Sequence, residues 1–265
     1  MIYIFSLVFL YIFFGFLLYI LQRKILFNKS GHPGAPSDYN LSTTKEIQIL
    51  TEDNINLLSW LYVGDKKLPF LIYFQGNSFN IGDRASRIKK YIDQNWSVLI
   101  VSWRGFGGNN GNPTELNLYK DGEAAVKWAL KNTNFKKNQI VIYGESLGTG
   151  VAVELGTKYS FLSIVLEAPF TSISDIAKKR YKFYPTKYLV KDKFNNFNKI
   201  DKLKSPLLIL SGKKDEIVPH KHSLKLLKKA NVIKKGVFID EAIHNNLYDF
   251  NIEKDVIEFN LELWK

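Results

Sequence analysis

Short apolar runs alternate with amphipathic segments along most of this 265-residue chain. The runs are mostly continuous, as in parallel strands that are buried on both faces. They occupy residues 45–50, 57–63, 70–74, 98–103, 140–143, 164–166, 207–210 and 237–239. Between several of them, apolar side chains recur at helical spacing, as in residues 81–92, 118–129 and 252–263. This order predicts an α/β fold of about eight mostly parallel strands with helices on both faces, and an antiparallel hairpin of the first two strands at one edge.

Residues 1–21 form an apolar segment without a charged side chain. As a helix it would be about 31 Å long, which matches the hydrocarbon core of a membrane. A cleaved signal peptide is disfavoured, because a basic start, a shorter apolar run and a small-residue cleavage site are not evident. Side chains typical of membrane interfaces lie near or after its ends: Tyr3, Tyr19, Arg23, Lys24 and Lys29. We predict one N-terminal transmembrane anchor, and the basic residues after it favour a cytoplasmic domain.

Composition divides the rest of the chain into a linker and one domain. Residues 22–44 are predicted to be a juxtamembrane linker, because residues 28–44 are rich in Gly, Pro, Ser, Asn and Thr. Residues 45–265 are long enough for one α/β domain. Within it, residues 171–204 form a predicted lid-like insertion, hereafter the lid segment, between the sixth and seventh strands. The absence of cysteine from the chain excludes a disulfide framework and a thiolate site.

The charge of the chain is +12, and part of it is concentrated in the lid segment. Residues 178–204 hold ten Lys or Arg against two Asp, with aromatic side chains interleaved. Stacking rings among cations could also suit single-stranded nucleic acid, but a membrane anchor would place this segment near anionic headgroups. We therefore expect membrane lipid as a partner and no nucleic acid. The net charge of the whole chain is more simply explained by a general composition bias. Nothing in the sequence predicts an oligomeric state.

A G-x-S-x-G motif follows the apolar run 140–143 as Gly144-Glu145-Ser146-Leu147-Gly148. The helix-like residues 151–158 come next, so the motif has the strand, turn and helix that a nucleophile elbow requires. In such an elbow, a sharp turn lifts the serine hydroxyl off the sheet, and glycine lets the flanking backbone pass closely. The pattern predicts Ser146 as a nucleophile.

A serine nucleophile needs a histidine base and a carboxylate that orients the histidine. The four histidines are His32, His220, His222 and His244. His244 is the candidate base, because it follows the run 237–239 and would project from the carboxyl edge of the sheet. Asp215, in the loop after residues 207–210, is the first candidate acid, with Glu216 and Asp240 as competitors.

An oxyanion hole usually combines the backbone N–H after the nucleophile with one from a loop after an earlier strand. Leu147 would supply the first donor. Gly76 permits a tight turn after residues 70–74, so the N–H of Asn77 is the candidate for the second.

Together these residues resemble membrane-anchored α/β-hydrolases of the Bem46 and ABHD13 type, which are related to monoacylglycerol lipases and serine aminopeptidases. The likeness covers nearly the whole chain and includes Gln22-Arg23-Lys24, Gln75-Gly76-Asn77, Trp103-Arg104-Gly105-Phe106-Gly107, the Gly144–Gly148 motif, Asp215-Glu216-Ile217-Val218-Pro219 and His244-Asn245-Asn246. Two positions differ from the family pattern: Gln75 replaces a histidine and Ile243 a glycine. Neither removes a member of the expected triad.

The resemblance implies an α/β-hydrolase fold and a serine hydrolase of the esterase, lipase, thioesterase or peptidase kind. We expect acyl-enzyme chemistry on small lipid-like or acylated substrates. A non-catalytic membrane-tethered scaffold and an aminopeptidase-like enzyme are the alternatives. No cofactor is expected, because Asn110 occupies the third glycine position of a dinucleotide motif beginning at Gly105. No metal is expected either, since His, Asp and Glu show no ligand spacing.

Overall fold

The structure is a computed structural model that describes residues 2–264. Within these residues the strands are β1 (Asn28–Lys29), β2 (Lys45–Leu50), β3 (Asn56–Tyr62), β4 (Phe70–Phe74), β5 (Ser78–Phe79), β6 (Ser97–Val101), β7 (Ile140–Glu145), β8 (Ser163–Glu167), β9 (Leu207–Gly212) and β10 (Lys234–Ile239). Eight of them form one sheet in the order β10-β9-β8-β7-β4-β6-β3-β2. Each predicted strand is present, and several extend past their apolar run because backbone pairing continues into polar residues.

The pairing directions agree with the prediction. Strands β10, β9, β8, β7, β4 and β6 are parallel, whereas β2 and β3 form an antiparallel hairpin at the edge. The helices are α1 (Ile2–Leu26), α2 (Ala85–Ile92), α3 (Glu115–Asn132), α4 (Gly148–Lys158), α5 (Ile173–Arg180), α6 (Thr186–Leu189), α7 (Lys221–Lys229) and α8 (Ile252–Leu263). The predicted α/β-hydrolase fold is confirmed.

Two apolar cores lie on the two faces of the sheet, because successive strand residues point to opposite sides. On one face, Ile142 of β7 belongs to the core that contains Val126 of α3 and Val151 of α4. On the other, Tyr143 belongs to the core of α2 and α8, which includes Phe259. The sheet is therefore covered by helices on both faces.

Helix α1 is longer than the predicted anchor, because it continues through Arg23 and Lys24. Residues 3–26 are long and apolar enough to cross a membrane, which makes α1 a candidate transmembrane span. After it, Phe27 and Leu41 are buried in the two cores, and β1 pairs with β5. The division into anchor, linker and domain stays a prediction.

The parallel strands bring several loops to one edge of the sheet. The carboxyl ends of β4, β7, β9 and β10 lead into the loops that hold Asn77, Ser146, Asp215 and His244. The lid segment follows β8 at the same edge and contains α5 and α6. In open α/β sheets this is the edge where ligands bind.

Candidate active site

Ser146 occupies a strained turn between β7 and α4. Its φ is +48°, a left-handed conformation that is uncommon for residues other than glycine. Its N–H donates to the carbonyl of Glu167 over 2.8 Å. A Cβ at Gly144 would lie 2.6 Å from the carbonyl oxygen of Gly148, and one at Gly148 would overlap the carbonyl of Phe74. Glycine is thus required at both flanking positions, as the motif predicts.

His244 lies between Ser146 and Asp215. Its Nε2 is 3.1 Å from the Ser146 hydroxyl oxygen, and its Nδ1 is 2.6 Å from Oδ2 of Asp215. An ionised carboxylate only accepts hydrogen bonds, so Nδ1 carries the hydrogen and Nε2 is free to accept from the serine hydroxyl. The structure therefore brings together the three side chains that the sequence analysis selected, although they are far apart in the chain.

Asp215 is the acidic residue that reaches this histidine. Its side chain is fully buried, and its Oδ1 accepts from the N–H groups of Ile217 and Val218 over 2.9 and 2.8 Å. The competing acids face solvent: Glu216 is exposed, and Asp240 is paired with Lys213 on the surface. These bonds fix the carboxylate so that only Oδ2 is directed at the imidazole.

The loop around His244 is held by its neighbours. The N–H of Ile243 donates to Oδ1 of Asn246, and Arg87 donates to the carbonyl of Asn245. Ile243 itself is 49% exposed, so its side chain extends into solvent and does not displace the loop. The remaining histidines have local roles elsewhere: His32 accepts from Gly34, His220 contacts Ser211 and His222 contacts Thr171.

The candidate oxyanion residues lie beside the elbow. Asn77 and Leu147 line the same cavity as Ser146. Among residues 2–264, neither of their N–H groups donates to a protein acceptor. A Cβ at Gly76 would lie 3.5 Å from the Cβ of Ser146, so the loop after β4 approaches the nucleophile closely.

Gln75, which departs from the family pattern, is fully buried. Its carbonyl accepts from the Trp103 indole over 3.1 Å. Its side-chain amide has no hydrogen-bond partner within the described part of the chain. The substitution therefore leaves the backbone of the candidate oxyanion loop attached to Trp103.

A buried charged network under the elbow was not predicted. Glu145 accepts from Arg84 over 2.8 and 3.0 Å and from the Tyr73 hydroxyl over 2.9 Å. Glu167 is opposite Glu145 in the register of β7 and β8, and Arg87 lies within 3.4 Å of both carboxylates. The signal available in the sequence was a glutamate after each of two buried apolar runs.

The network shifts the pKa values of the two carboxyl groups in opposite directions. Burial opposes ionisation of Glu145, but Arg84 and Arg87 outweigh it and lower the pKa of that carboxyl below its usual range. Burial, with the charge of Glu145 beside it, raises the pKa of Glu167 even though Arg87 acts in the opposite direction. Glu145 is therefore held as an anion directly before the nucleophile.

A largely apolar cavity of about 260 Å³ opens above Ser146. Its floor includes Asn77, Ser146 and Leu147, and its walls come mostly from the lid segment and from α1. The participation of α1 was not predicted, since its sequence indicates an anchor alone. Among the described residues, no group of three or more His, Asp or Glu is placed to hold a metal ion.

Comparison with known proteins yields one family and several relatives. The model of the prolyl oligopeptidase family matches residues 106–246. The protein Bem46 of Schizosaccharomyces pombe is 30% identical over 77% of this chain and 73% of its own length. Human α/β hydrolase domain-containing protein 17B is 32% identical over 67% of the chain and 60% of its own length.

Solved structures share the fold. The esterase Pf2001 of Pyrococcus furiosus superposes with a TM-score of 0.74 at 22% identity, covering 90% of this chain and 99% of that one. The family model spans more than half of the chain, and the alignment with Bem46 covers most of both sequences. The chain therefore belongs to the prolyl oligopeptidase family within the α/β-hydrolase superfamily.

Proposed function

We propose that the chain is a serine hydrolase that cleaves an ester, thioester or amide bond with Ser146 as nucleophile. The observation that carries this proposal is the continuous contact from the Ser146 hydroxyl through His244 to the buried Asp215. A serine hydroxyl is a weak nucleophile until a neighbouring base accepts its proton. The esterase fold and the hydrolase relatives support the same class of chemistry.

The reaction would proceed through an acyl-enzyme. His244 Nε2 accepts the hydroxyl proton while Oγ of Ser146 attacks the carbonyl carbon, and Asp215 stabilises the imidazolium that forms. The N–H groups of Leu147 and Asn77 would bind the resulting oxyanion, assisted by the N-terminus of α4. His244 then protonates the leaving group, and the same residue later activates the water that releases the acyl group.

The character of the cavity supports lipid-like or acylated substrates. Its walls are mainly apolar, and apolar walls contribute binding energy to hydrocarbon rather than to polar peptide. An aminopeptidase-like activity remains the second candidate, because the matching family model describes oligopeptidases. Parallel assays of acyl esters, acyl thioesters and aminoacyl amides would rank these classes by kcat/KM.

A fluorophosphonate probe tests the nucleophile. The detergent-solubilised full chain is expected to be labelled covalently, and Ser146→Ala is expected to lose all labelling because no other activated serine is proposed. Ser160→Ala is the matched control, since the hydroxyl of this exposed serine donates to the carbonyl of Lys204 and takes no part in the proposed triad, so the change should leave labelling unchanged. A wild-type chain that stays unlabelled and hydrolyses none of the three substrate classes would favour the non-catalytic scaffold.

We also propose that α1 anchors the chain in a membrane, with the domain on the cytoplasmic side, and that the lid segment contacts anionic headgroups. Lys178, Lys182 and Lys187 are exposed on this segment. Each basic side chain near an anionic surface contributes about 1 kcal/mol of attraction, which salt screens. Hydrogen exchange of the lid segment should therefore be slower in anionic than in zwitterionic nanodiscs, and the difference should vanish at high salt.

Charge reversal provides the control for this membrane contact. The triple variant Lys178→Glu, Lys182→Glu and Lys187→Glu should abolish the difference between the two lipid compositions. The same change at the exposed Lys66, Lys67 and Lys131, which lie toward the opposite edge of the sheet, should preserve it. Exchange rates that ignore lipid charge in the wild-type chain would exclude the proposed contact.

A further inference from the structure

We propose that α1 forms one wall of the acyl pocket, and that this pocket takes the acyl chain of a bilayer lipid from within the membrane. The inference rests on the proposed function of Ser146. It gives the N-terminal helix a role in substrate selection in addition to anchoring.

One face of α1 lines the cavity above the nucleophile. The lining residues of this helix are Gly15, Leu18, Tyr19, Gln22, Ile25 and Leu26. Their spacing of one, three and four residues places them on a single stripe that is about 16 Å long. Leu26 is at the end nearest the nucleophile, where its carbonyl accepts from the side chain of Asn77 over 2.9 Å. The wall therefore runs from Ser146 towards the middle of α1.

Near its C-terminal end, α1 is attached to the lid segment by polar contacts. Arg23 pairs with the buried Asp192 over 2.8 Å. The side-chain amide of Gln22 donates to the carbonyl of Leu189 and accepts from the N–H of Lys191, over 3.2 and 2.8 Å. A carboxamide that bridges two backbone groups fixes the separation of the two elements. The width of the pocket at this level is thus set by α1.

A second attachment lies about 16 Å farther along the helix. The rings of Tyr11 and Tyr184 stack with centroids 4.8 Å apart. The Tyr11 hydroxyl donates to the carbonyl of Phe183, and the Tyr184 hydroxyl donates to the carbonyl of Tyr11. A Cβ at Gly15 would lie 2.7 Å from the Tyr184 ring, so glycine permits this close approach. Between the two attachments, α1 and the lid segment line the cavity from two sides.

The position of these two attachments along α1 determines whether the pocket lies within the bilayer. The part of α1 before Tyr11 is only about 14 Å long, roughly half of a hydrocarbon core. For α1 to cross a membrane, the tip of the lid segment at Phe183 must therefore enter the bilayer with it, while the ammonium groups of the flanking Lys182 and Lys187 extend along it towards the headgroups. Phe183 is 86% exposed and Tyr188 77% exposed, which suits contact with acyl chains and the interface. A pocket between two inserted elements can be filled laterally by a lipid whose acyl chain already lies along α1.

A matched pair of adjacent substitutions tests the wall. Leu18 lines the cavity, whereas Leu17 faces outward and does not. In the full chain in nanodiscs, Leu18→Trp should lower the ratio of dodecanoyl to acetyl p-nitrophenyl ester hydrolysis by about tenfold or more, since the indole occupies acyl space. Leu17→Trp should keep the wild-type ratio. Thermal unfolding in the same nanodiscs checks that both variants are folded, and the acetyl ester serves only as the reference substrate of each ratio.

A photoreactive probe tests the wall without a substitution. An alkyl fluorophosphonate that carries a diazirine near the end of a long chain is first allowed to label Ser146 and is then irradiated. Peptide mapping is expected to find the cross-link within residues 15–26 as well as in the lid segment. A short-chain probe should not cross-link to the residues of α1 that precede Gln22.

The outcomes distinguish a failure of the proposed wall from a failure of the proposed nucleophile. Labelling at Ser146 with cross-links that avoid α1, or equal chain-length ratios for the Leu18 and Leu17 variants, overturns the wall and leaves the proposed hydrolase intact. A chain that is never labelled and hydrolyses no ester overturns both. If the wall is present but phospholipid in the nanodisc neither competes with the long ester nor is hydrolysed, the bilayer-lipid substrate is wrong.

Discussion

Asp215→Asn is expected to lower kcat for ester hydrolysis by about 10⁴-fold while the protein stays folded. The structure fixes how the amide would be oriented. Oδ1 of Asp215 accepts from two backbone N–H groups, at Ile217 and Val218, so the amide oxygen must take that position. The NH₂ group would then face His244 Nδ1 and donate to it. This stabilises the tautomer with hydrogen on Nε2, which cannot accept the proton of Ser146.

The two surface acids provide matched controls for this loss. Glu216→Gln and Asp240→Asn remove a carboxylate of the same type from positions that the structure places in solvent. Both should retain wild-type kcat and wild-type rates of fluorophosphonate labelling. Thermal unfolding of the three variants in the same detergent checks that Asp215→Asn remains native. A kcat within about tenfold of wild type for Asp215→Asn would show that Asp215 does not orient the base.

The geometry of the site was largely predictable because parallel strands end at a common edge. Ser146, Asp215 and His244 each follow an apolar run, and the carboxyl ends of β7, β9 and β10 meet at that edge. The sequence ranked Asp215 ahead of its neighbour Glu216 but did not exclude Glu216. That choice depends on which side chain turns inward, and the backbone bonds to Ile217 and Val218 decide it.

That α1 lines the cavity above Ser146 could not be read from the sequence, because the lining face of this helix is as apolar as the face directed outward. Leu17 and Leu18 are identical residues in different surroundings, and no periodicity distinguishes them. The charged network was hidden for another reason. Glu145 and Glu167 become neighbours only through the register of β7 and β8, and their partners Arg84 and Arg87 come from a distant part of the chain.

That network gives the largest expected effect on stability. Arg84→Met should lower the free energy of unfolding by about 3 to 5 kcal/mol, because it leaves the buried Glu145 anion without its principal partner. Both side chains of this pair are 8% exposed, so water cannot replace the lost guanidinium. Arg87, at 3.4 Å, and the Tyr73 hydroxyl remain near the carboxylate, which places the expected loss at the lower end of this range. Denaturant unfolding in mild detergent measures the change.

Two further variants separate the buried charge from the general loss of an arginine. Lys89→Met breaks an exposed ion pair between α2 and Asp93, the residue directly after this helix, and it should cost at most about 0.5 kcal/mol. The double variant Arg84→Met with Glu145→Met removes both charges, so it should be more stable than Arg84→Met alone. Because Glu145 directly precedes Ser146, Arg84→Met should also slow fluorophosphonate labelling. The double variant should restore labelling in parallel with stability. Equal losses for the single and double variants would mean that packing of Arg84, rather than an unpaired Glu145, accounts for the effect.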